Sequence, residues 1–317
     1  MKIKVISLEE INNDIPNNPI KIENLKEYLE GGRKDVLINP DIFFENVRTI
    51  NRKDKNFSLF ERTNYISDNV ILVFSIYLEL FEYFNKSNDM LSIIRFYSEK
   101  YSNNTVIFYW NHDIDFSKYN FFIENLNNVC IINYNTSKKS KNDIIVPFWT
   151  YSDKVDIVDI EKNIICNFIG TINNELRLKI FKTFKNKNGY YIEQKIDYNS
   201  FVNVVSKSNF TFCPRGLGLS SYRFFECMFL GSIPVLFADD VILPYEDIIN
   251  YDDMIIRIPE SKILDFEFIN DKLSNINISD MKKKIHDNIK HFRLDGIQEY
   301  VYQKIKVKYA NRLGSIN

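Results

Sequence analysis

The sequence predicts an α/β fold made of two units, each a parallel sheet flanked by helices. Three observations lead there. Short β-branched and aromatic runs alternate with longer segments of 3.6-residue periodicity. The polar stretch 135–143 (Asn-Thr-Ser-Lys-Lys-Ser-Lys-Asn-Asp) interrupts that alternation and reads as a linker. A length of 317 residues, 45% hydrophobic and 26% charged, suits two medium domains with substantial cores and argues against disorder.

In the first half, strands are expected over 3–6, 36–38, 70–74, 105–109 and 129–132, and helices over 90–101 and 119–126. The second half is cleaner. A strand over 163–169 ends in Gly170-Thr171, and an amphipathic helix over 175–187 follows. Then come a strand over 190–193, a helix over 198–207 and a strand over 209–213. A Gly-containing loop leads to a helix over 222–230, capped by Gly231, and to a strand over 233–237. Strand and helix alternating in this way make a Rossmann-like half. The basic tail from Ser279, an N-cap, to Leu313 reads as helical. The expected division is 1–145, 146–280 and 281–317, the last helices crossing back to the first unit. Two such units imply a cleft, where ligands of these folds bind.

Composition removes several classes. Lys+Arg at 41 against Asp+Glu at 42 leaves a charge of −1, too balanced to recruit nucleic acid. Cys130, Cys166, Cys213 and Cys227 follow neither a disulfide nor a zinc spacing, and only 3 His are present, so buried reduced thiols are expected. The longest apolar run, Val70 to Phe84, is broken by Ser75, Glu79 and Glu82, and the start carries no signal-peptide core. A cytoplasmic protein is the resulting expectation.

Residues 208–226 carry the chemistry. A strand runs through Cys213-Pro214 into Arg215-Gly216-Leu217-Gly218-Leu219-Ser220-Ser221, and Ser221 is placed to cap the next helix. That helix directs free backbone N–H groups and its positive dipole end at the loop. Arg215 and Arg223 add charge suited to phosphate. Glu226, three residues after Arg223, shares its helix face and can accept from ribose hydroxyls. Together these residues describe a seat for a nucleoside diphosphate; taken alone, the spacing equally fits a capped helix with a surface ion pair.

Pro214-Arg215-Gly216, Ser221-x-Arg223-x-x-Glu226, Gly231-x-Ile233-Pro234-Val235 and Leu243-Pro244 before Asp247-x-Ile249 resemble the exostosin family of glycosyltransferases in order and spacing. Asn142-Asp143-Ile144-Ile145-Val146-Pro147 and Phe168-x-Gly170 followed by Arg177 extend the resemblance more weakly, over about 140–260 in all. The resemblance implies a GT-B fold, two Rossmann-like domains facing across a cleft. It also implies inverting transfer from a nucleotide-sugar, usually without a metal, to a saccharide or lipid-linked saccharide acceptor. On it, Arg223 contacts the diphosphate and Glu226 the ribose. Gly216, Gly218, Ser220 and Ser221 line the phosphates, with Arg177 and Gly170 closing the site. A UDP-sugar is favoured over the GDP-sugar of a fucosyltransferase-like enzyme, and a non-catalytic scaffold is the other alternative. Animal and plant members of the family typically carry an N-terminal membrane anchor, and none is expected here.

For the acceptor base, His112 and its rival Asp113 follow a strand whose end would face the cleft, and a carboxylate or imidazole there suits proton removal. Asp113-Ile114-Asp115 is also a D-x-D triplet able to hold Mg²⁺ or Mn²⁺, but with a phosphate seat present no metal is expected. Asp239, at another strand end, is a candidate for donor sugar hydroxyls or for a turn cap. Trp110 and Trp149 are candidates for stacking on sugar, with burial in the core as the equal alternative. The lysines of the tail fit a solvated helix face, with peripheral contact to a membrane as the alternative.

Overall fold

A computed structural model describes residues 2–6, 8–14, 61–68, 70–78, 81–82, 85, 87–110, 114–134, 136–148, 150, 152 and 160–314. The expected strand over 36–38 lies outside them. Six parallel strands make the first sheet: β1 (Lys2–Ile6), β2 (Glu61–Arg62), β3 (Val70–Tyr77), β4 (Val106–Trp110), β5 (Val129–Asn133) and β6 (Asp143–Ile145), in the order β2-β1-β3-β4-β5-β6. Five parallel strands make the second: β7 (Ile164–Ile169), β8 (Tyr190–Glu193), β9 (Ser208–Pro214), β10 (Ile233–Phe237) and β11 (Ile256–Arg257), in the order β11-β10-β9-β7-β8. Both α/β units read from the sequence are therefore present as parallel sheets.

Their apolar runs are near-continuous because both faces are covered. Ile71, Val73, Ile107, Tyr109, Cys130 and Ile132 belong to one buried cluster. The alternate residues Leu72, Phe74, Val106, Phe108, Trp110 and Ile131 belong to another. Helices supply the cover: α1 (Leu8–Asp14), α2 (Ser87–Lys100), α3 (Asn120–Ile123), α4 (Glu175–Phe184), α5 (Tyr198–Ser206), α6 (Tyr222–Phe229), α7 (Phe266–Ser274), α8 (Ile278–Asn288) and α9 (Leu294–Gly314). In α2 the buried Met90, Ile93, Ile94 and Tyr97 follow the 3.6-residue period. All four cysteines are free and buried.

Within the polar stretch 135–143, the described part (136–143) belongs to the first sheet and is not a linker between units. It turns the chain into β6, which pairs with β5. Lys138, Lys139 and Lys141 are exposed, but its buried polar side chains serve backbone groups: Asn142 Nδ2 donates to Leu126 O (2.8 Å) and Val129 O (3.0 Å), and Ser140 N donates to Asp143 Oδ2 (2.8 Å). Burial pushes the Asp143 carboxyl up to about 7, with the Ser140 N–H opposing the shift. The folded chain therefore holds a proton that an unfolded aspartate releases near pH 4. Ionisation of Asp143 costs stability progressively from there up to about pH 7 and fully above it. Asp143→Asn is accordingly expected to raise the melting temperature at pH 8 by several degrees, an advantage that shrinks as the pH falls and vanishes below about pH 4; a pH-independent difference in paired melting curves would refute this.

The tail is capped by Asn277, not Ser279: the Asn277 side chain accepts from Asp280 N. A 3₁₀ turn over Ile289–Phe292 separates α8 from α9. Two of the tail lysines face inward, which accounts for part of its basic character. Lys304 pairs with Asp247 at 2.6 Å, and Lys308 Nζ donates to Val129 O at the start of β5. Tyr300 Oη also donates to Asp247 (2.8 Å). Burial alone would raise the Asp247 carboxyl, but these two partners hold it below its usual range. Among the described residues no helix is long and apolar enough to cross a membrane.

The segments that leave the carboxyl ends of the two sheets touch. Ile242 N, beyond β10, donates to Thr136 O, beyond β5, at 3.0 Å. Phe148, beyond β6, stacks between Tyr134 (5.2 Å) and Tyr222 (4.3 Å), the first residue of α6.

Candidate functional site

Strand order in the second sheet reverses between β7 and β9: β8 lies outside β7 on one side, while β10 and β11 follow β9 on the other. At such a reversal, consecutive helices leave for opposite faces and open a crevice at the carboxyl ends of the strands. The loops entering that crevice are 170–174 and 215–221, and they are stitched together. Asn174 caps α4 by accepting from Arg177 N (2.9 Å), and its Nδ2 donates to Arg215 O (3.1 Å) and Gly216 O (2.8 Å). Arg177 adds Nε to Arg215 O (3.2 Å) and Nη1 to Thr171 O (3.1 Å). The approach is close enough that a Cβ on Gly216 would stand 3.4 Å from Arg177 Nη2.

Arg223 projects from the first turn of α6 into the same place. Its guanidinium carbon lies 4.0 Å from the centre of the Phe201 ring, and its Nε lies 3.5 Å from Glu226 Oε2. Nε and Nη1 are nonetheless buried without a hydrogen-bond partner. Burial, and then the neighbouring Arg223, lower the Arg177 pKa. Burial likewise lowers that of Arg223, with Glu226 opposing. Burial raises the Glu226 carboxyl, with Arg223 opposing. Two half-buried guanidiniums beside a single carboxylate, the one paired with Arg223, leave an excess positive charge and unused donors on Arg223, an environment that an anion completes.

The other residues expected at the site are distributed as follows. Gly170 opens the loop after β7, its Cβ position 3.8 Å from Arg177 Nη1, and Gly216, Gly218 and Ser220 lie in the β9 loop. Ser221 occupies the N-cap of α6 with extended backbone but makes no side-chain capping bond. Arg215 is held by Glu260 through Nε (2.7 Å) and Nη2 (3.4 Å). Asp239 Oδ1 accepts from Glu260 N (2.9 Å), so it orders the residue that holds Arg215. Asn174, Phe201 and Glu260 were not anticipated. Asn174 did show a cap signal before an amphipathic helix, whereas Phe201 and Glu260 show none.

His112, Asp113 and Trp149 lie outside the described residues. Trp110 does not face a cleft: it is fully buried, and its indole N–H donates to Ile114 O (2.6 Å). Asp115 accepts from the backbone N of Ser117 and of Ser137 (3.0 Å each) and from both their hydroxyls. Burial alone would raise its carboxyl, but these bonds hold it low. Asp115 thus caps the 3₁₀ turn over Phe116–Tyr119 and ties it to the loop after β5.

A model of the exostosin GT47 domain matches residues 93–273. A "probable glucuronosyltransferase" of Oryza sativa subsp. japonica is 26% identical over 118 residues, 37% of this chain and 27% of that protein. A "probable glucuronoxylan glucuronosyltransferase" of Arabidopsis thaliana is 22% identical over 114 residues, 36% of this chain and 24% of that protein. The matched segments thus span about a quarter of these curated relatives. Among solved structures, the crystal structure of a GtfA/B complex aligns with a TM-score of 0.49 at 10% identity, covering 78% of this chain and 58% of that one. That likeness is too weak to carry a site across.

Proposed function

The chain belongs to the exostosin GT47 family, and we propose that it is a glycosyltransferase whose second sheet holds the diphosphate of a nucleotide-sugar donor between Arg177 and Arg223. One observation carries this reading: Arg223 stands at the strand-order reversal with its buried Nε and Nη1 lacking partners, beside a second, half-buried arginine. A diphosphate presents the two adjacent anionic groups that such a pair requires. The meeting of the two sheets at their carboxyl ends suits the GT-B arrangement expected of the family.

In the proposed reaction an acceptor hydroxyl attacks the anomeric carbon of the donor sugar from the face opposite the nucleotide. The bond to the diphosphate oxygen breaks, and the configuration inverts. The acceptor proton passes to His112 or Asp113, which directly follow β4 in the chain. Arg223, Arg177 and the N-terminus of α6 take up the charge that grows on the leaving diphosphate, the part a metal ion plays in other transferases. Glu226, on the same helix face as Arg223, accepts from ribose hydroxyls. A UDP-sugar is the proposed donor and a saccharide the proposed acceptor; because the plant relatives are named as probable glucuronosyltransferases, a UDP-hexuronic acid is one of the donors to test.

A melting-temperature panel of UDP, GDP, CMP and ADP, with and without Mg²⁺, tests this. A nucleotide at about a hundred times its Kd adds about 2.7 kcal/mol, or roughly 5 °C for a chain of this size. One diphosphate raising the melting temperature regardless of Mg²⁺ is the expected result. No shift from any of the four would defeat the donor-site reading.

A further inference from the structure

Arg177 and Arg223 carry the same charge in the same crevice but are fixed by different means. Arg177 is anchored by two backbone carbonyls, those of Arg215 and Thr171. Arg223 has no comparable anchor: its Nε and Nη1 make no hydrogen bond, and its ion pair with Glu226 is long at 3.5 Å. In an empty site the two guanidiniums repel, so something must keep the second one in place. The close neighbour that remains is the Phe201 ring, 4.0 Å from the guanidinium carbon.

We infer that Phe201 is a positioning residue for the donor site: its ring face holds the Arg223 guanidinium in the crevice while leaving Nε and Nη1 free for phosphate oxygens. The inference rests on the donor-site reading above.

A ring face attracts a cation without acting as a strong acceptor, whereas a carboxylate or carbonyl in the same place would occupy the N–H groups the ligand needs. The ring is itself well fixed. Phe201 is 5% exposed and lies in the first turn of α5, where Asp197 caps the helix by accepting from Ser200 N and Ser200 Oγ. Phe201 N donates to Asp197 O (2.9 Å), and the Tyr198 ring lies 6.0 Å away. Because α5 follows β8 and α6 follows β9, the ring and the guanidinium approach from separate elements at the same end of the sheet. Their contact is set by the fold and not by neighbourhood in the chain.

The test is titration calorimetry with UDP and with inorganic pyrophosphate on wild type, Phe201→Leu, Phe201→Met, Phe201→Tyr and Arg223→Ala, with melting temperatures alongside. Leu and Met keep the apolar volume and lose the ring, and Tyr keeps the ring. The expected result is binding about tenfold weaker in the Leu and Met variants and close to wild type in the Tyr variant, the size of effect a desolvated cation–π contact supports. A Leu or Met variant binding as tightly as wild type while Arg223→Ala fails to bind would overturn the role of Phe201 and leave the donor site standing. Equal losses in the ring-keeping and ring-lacking variants would also overturn it, because packing would then explain them all. Wild type binding neither probe, or Arg223→Ala binding both, would remove the donor-site reading and this inference with it.

Discussion

Arg223→Ala is expected to weaken binding of the donor nucleotide at least about a hundredfold while moving the melting temperature of the unliganded protein by no more than a few degrees. Removing one partner of a buried, hydrogen-bonded charge contact costs about 2–5 kcal/mol in binding. The free protein loses far less, because Nε and Nη1 make no hydrogen bond before the ligand arrives. What disappears is the contact with the Phe201 ring and a 3.5 Å ion pair, and the cost of burying a cation disappears with them. Glu226 would be left without its cation, but burial already raises its carboxyl, and it can take up a proton instead of remaining charged. Arg223→Lys should fail as well, since an ammonium reproduces neither the planar fork nor its stacking on the ring. Calorimetry with UDP decides the matter: an affinity equal to that of wild type would mean that the phosphates sit elsewhere.

The second large effect is on stability. Gly296 lies near the start of α9, against the 3₁₀ turn that precedes it. A Cβ there would lie 2.2 Å from Lys290 O and 2.8 Å from His291 Cα, and both obstacles are backbone. No rotamer change can relieve that overlap, so the turn and the helix must separate. Gly296→Ala is expected to cost about 3 kcal/mol and to lower the melting temperature by roughly 6 °C. Phe292 of that turn packs against Phe225 of α6 (ring centroids 6.0 Å), so the disturbance reaches the helix that carries Arg223. A melting temperature equal to that of wild type would show that the junction tolerates a wider spacing.

Legibility differed between elements for physical reasons. Strands β3 to β5 and β7 to β10 could be read directly, because a parallel strand covered on both faces has to be apolar at nearly every position. Strand β6 is hidden from the sequence pattern by its polar approach. Its lead-in is polar because Ser140, Asn142 and Asp143 satisfy buried backbone groups, and composition does not distinguish that use from solvation. Strands β2 and β11, two residues each, are too short to show a period. At the site, Arg223 and Glu226 were legible because their spacing lies within one helix turn. The stitch from Asn174 to Arg215 crosses 41 residues, and the pairing of Arg215 with Glu260 crosses 45. Contacts at such distances depend on which strands lie side by side, and the strand order β11-β10-β9-β7-β8 has no local signature.

The seating of α9 bears on how the molecule is made. Ile297, Val301 and Ile305 share one continuous buried cluster with Ile71, Ile107 and Cys130 of the first sheet, and Lys308 closes on Val129 O. A ribosome releases residues 294–308 after every strand of both sheets has been synthesised. Over that whole interval one face of the earliest sheet waits for its last covering helix. A product stopped before residue 294 is expected to leave the part of that face under α9 open to chaperones or to other chains.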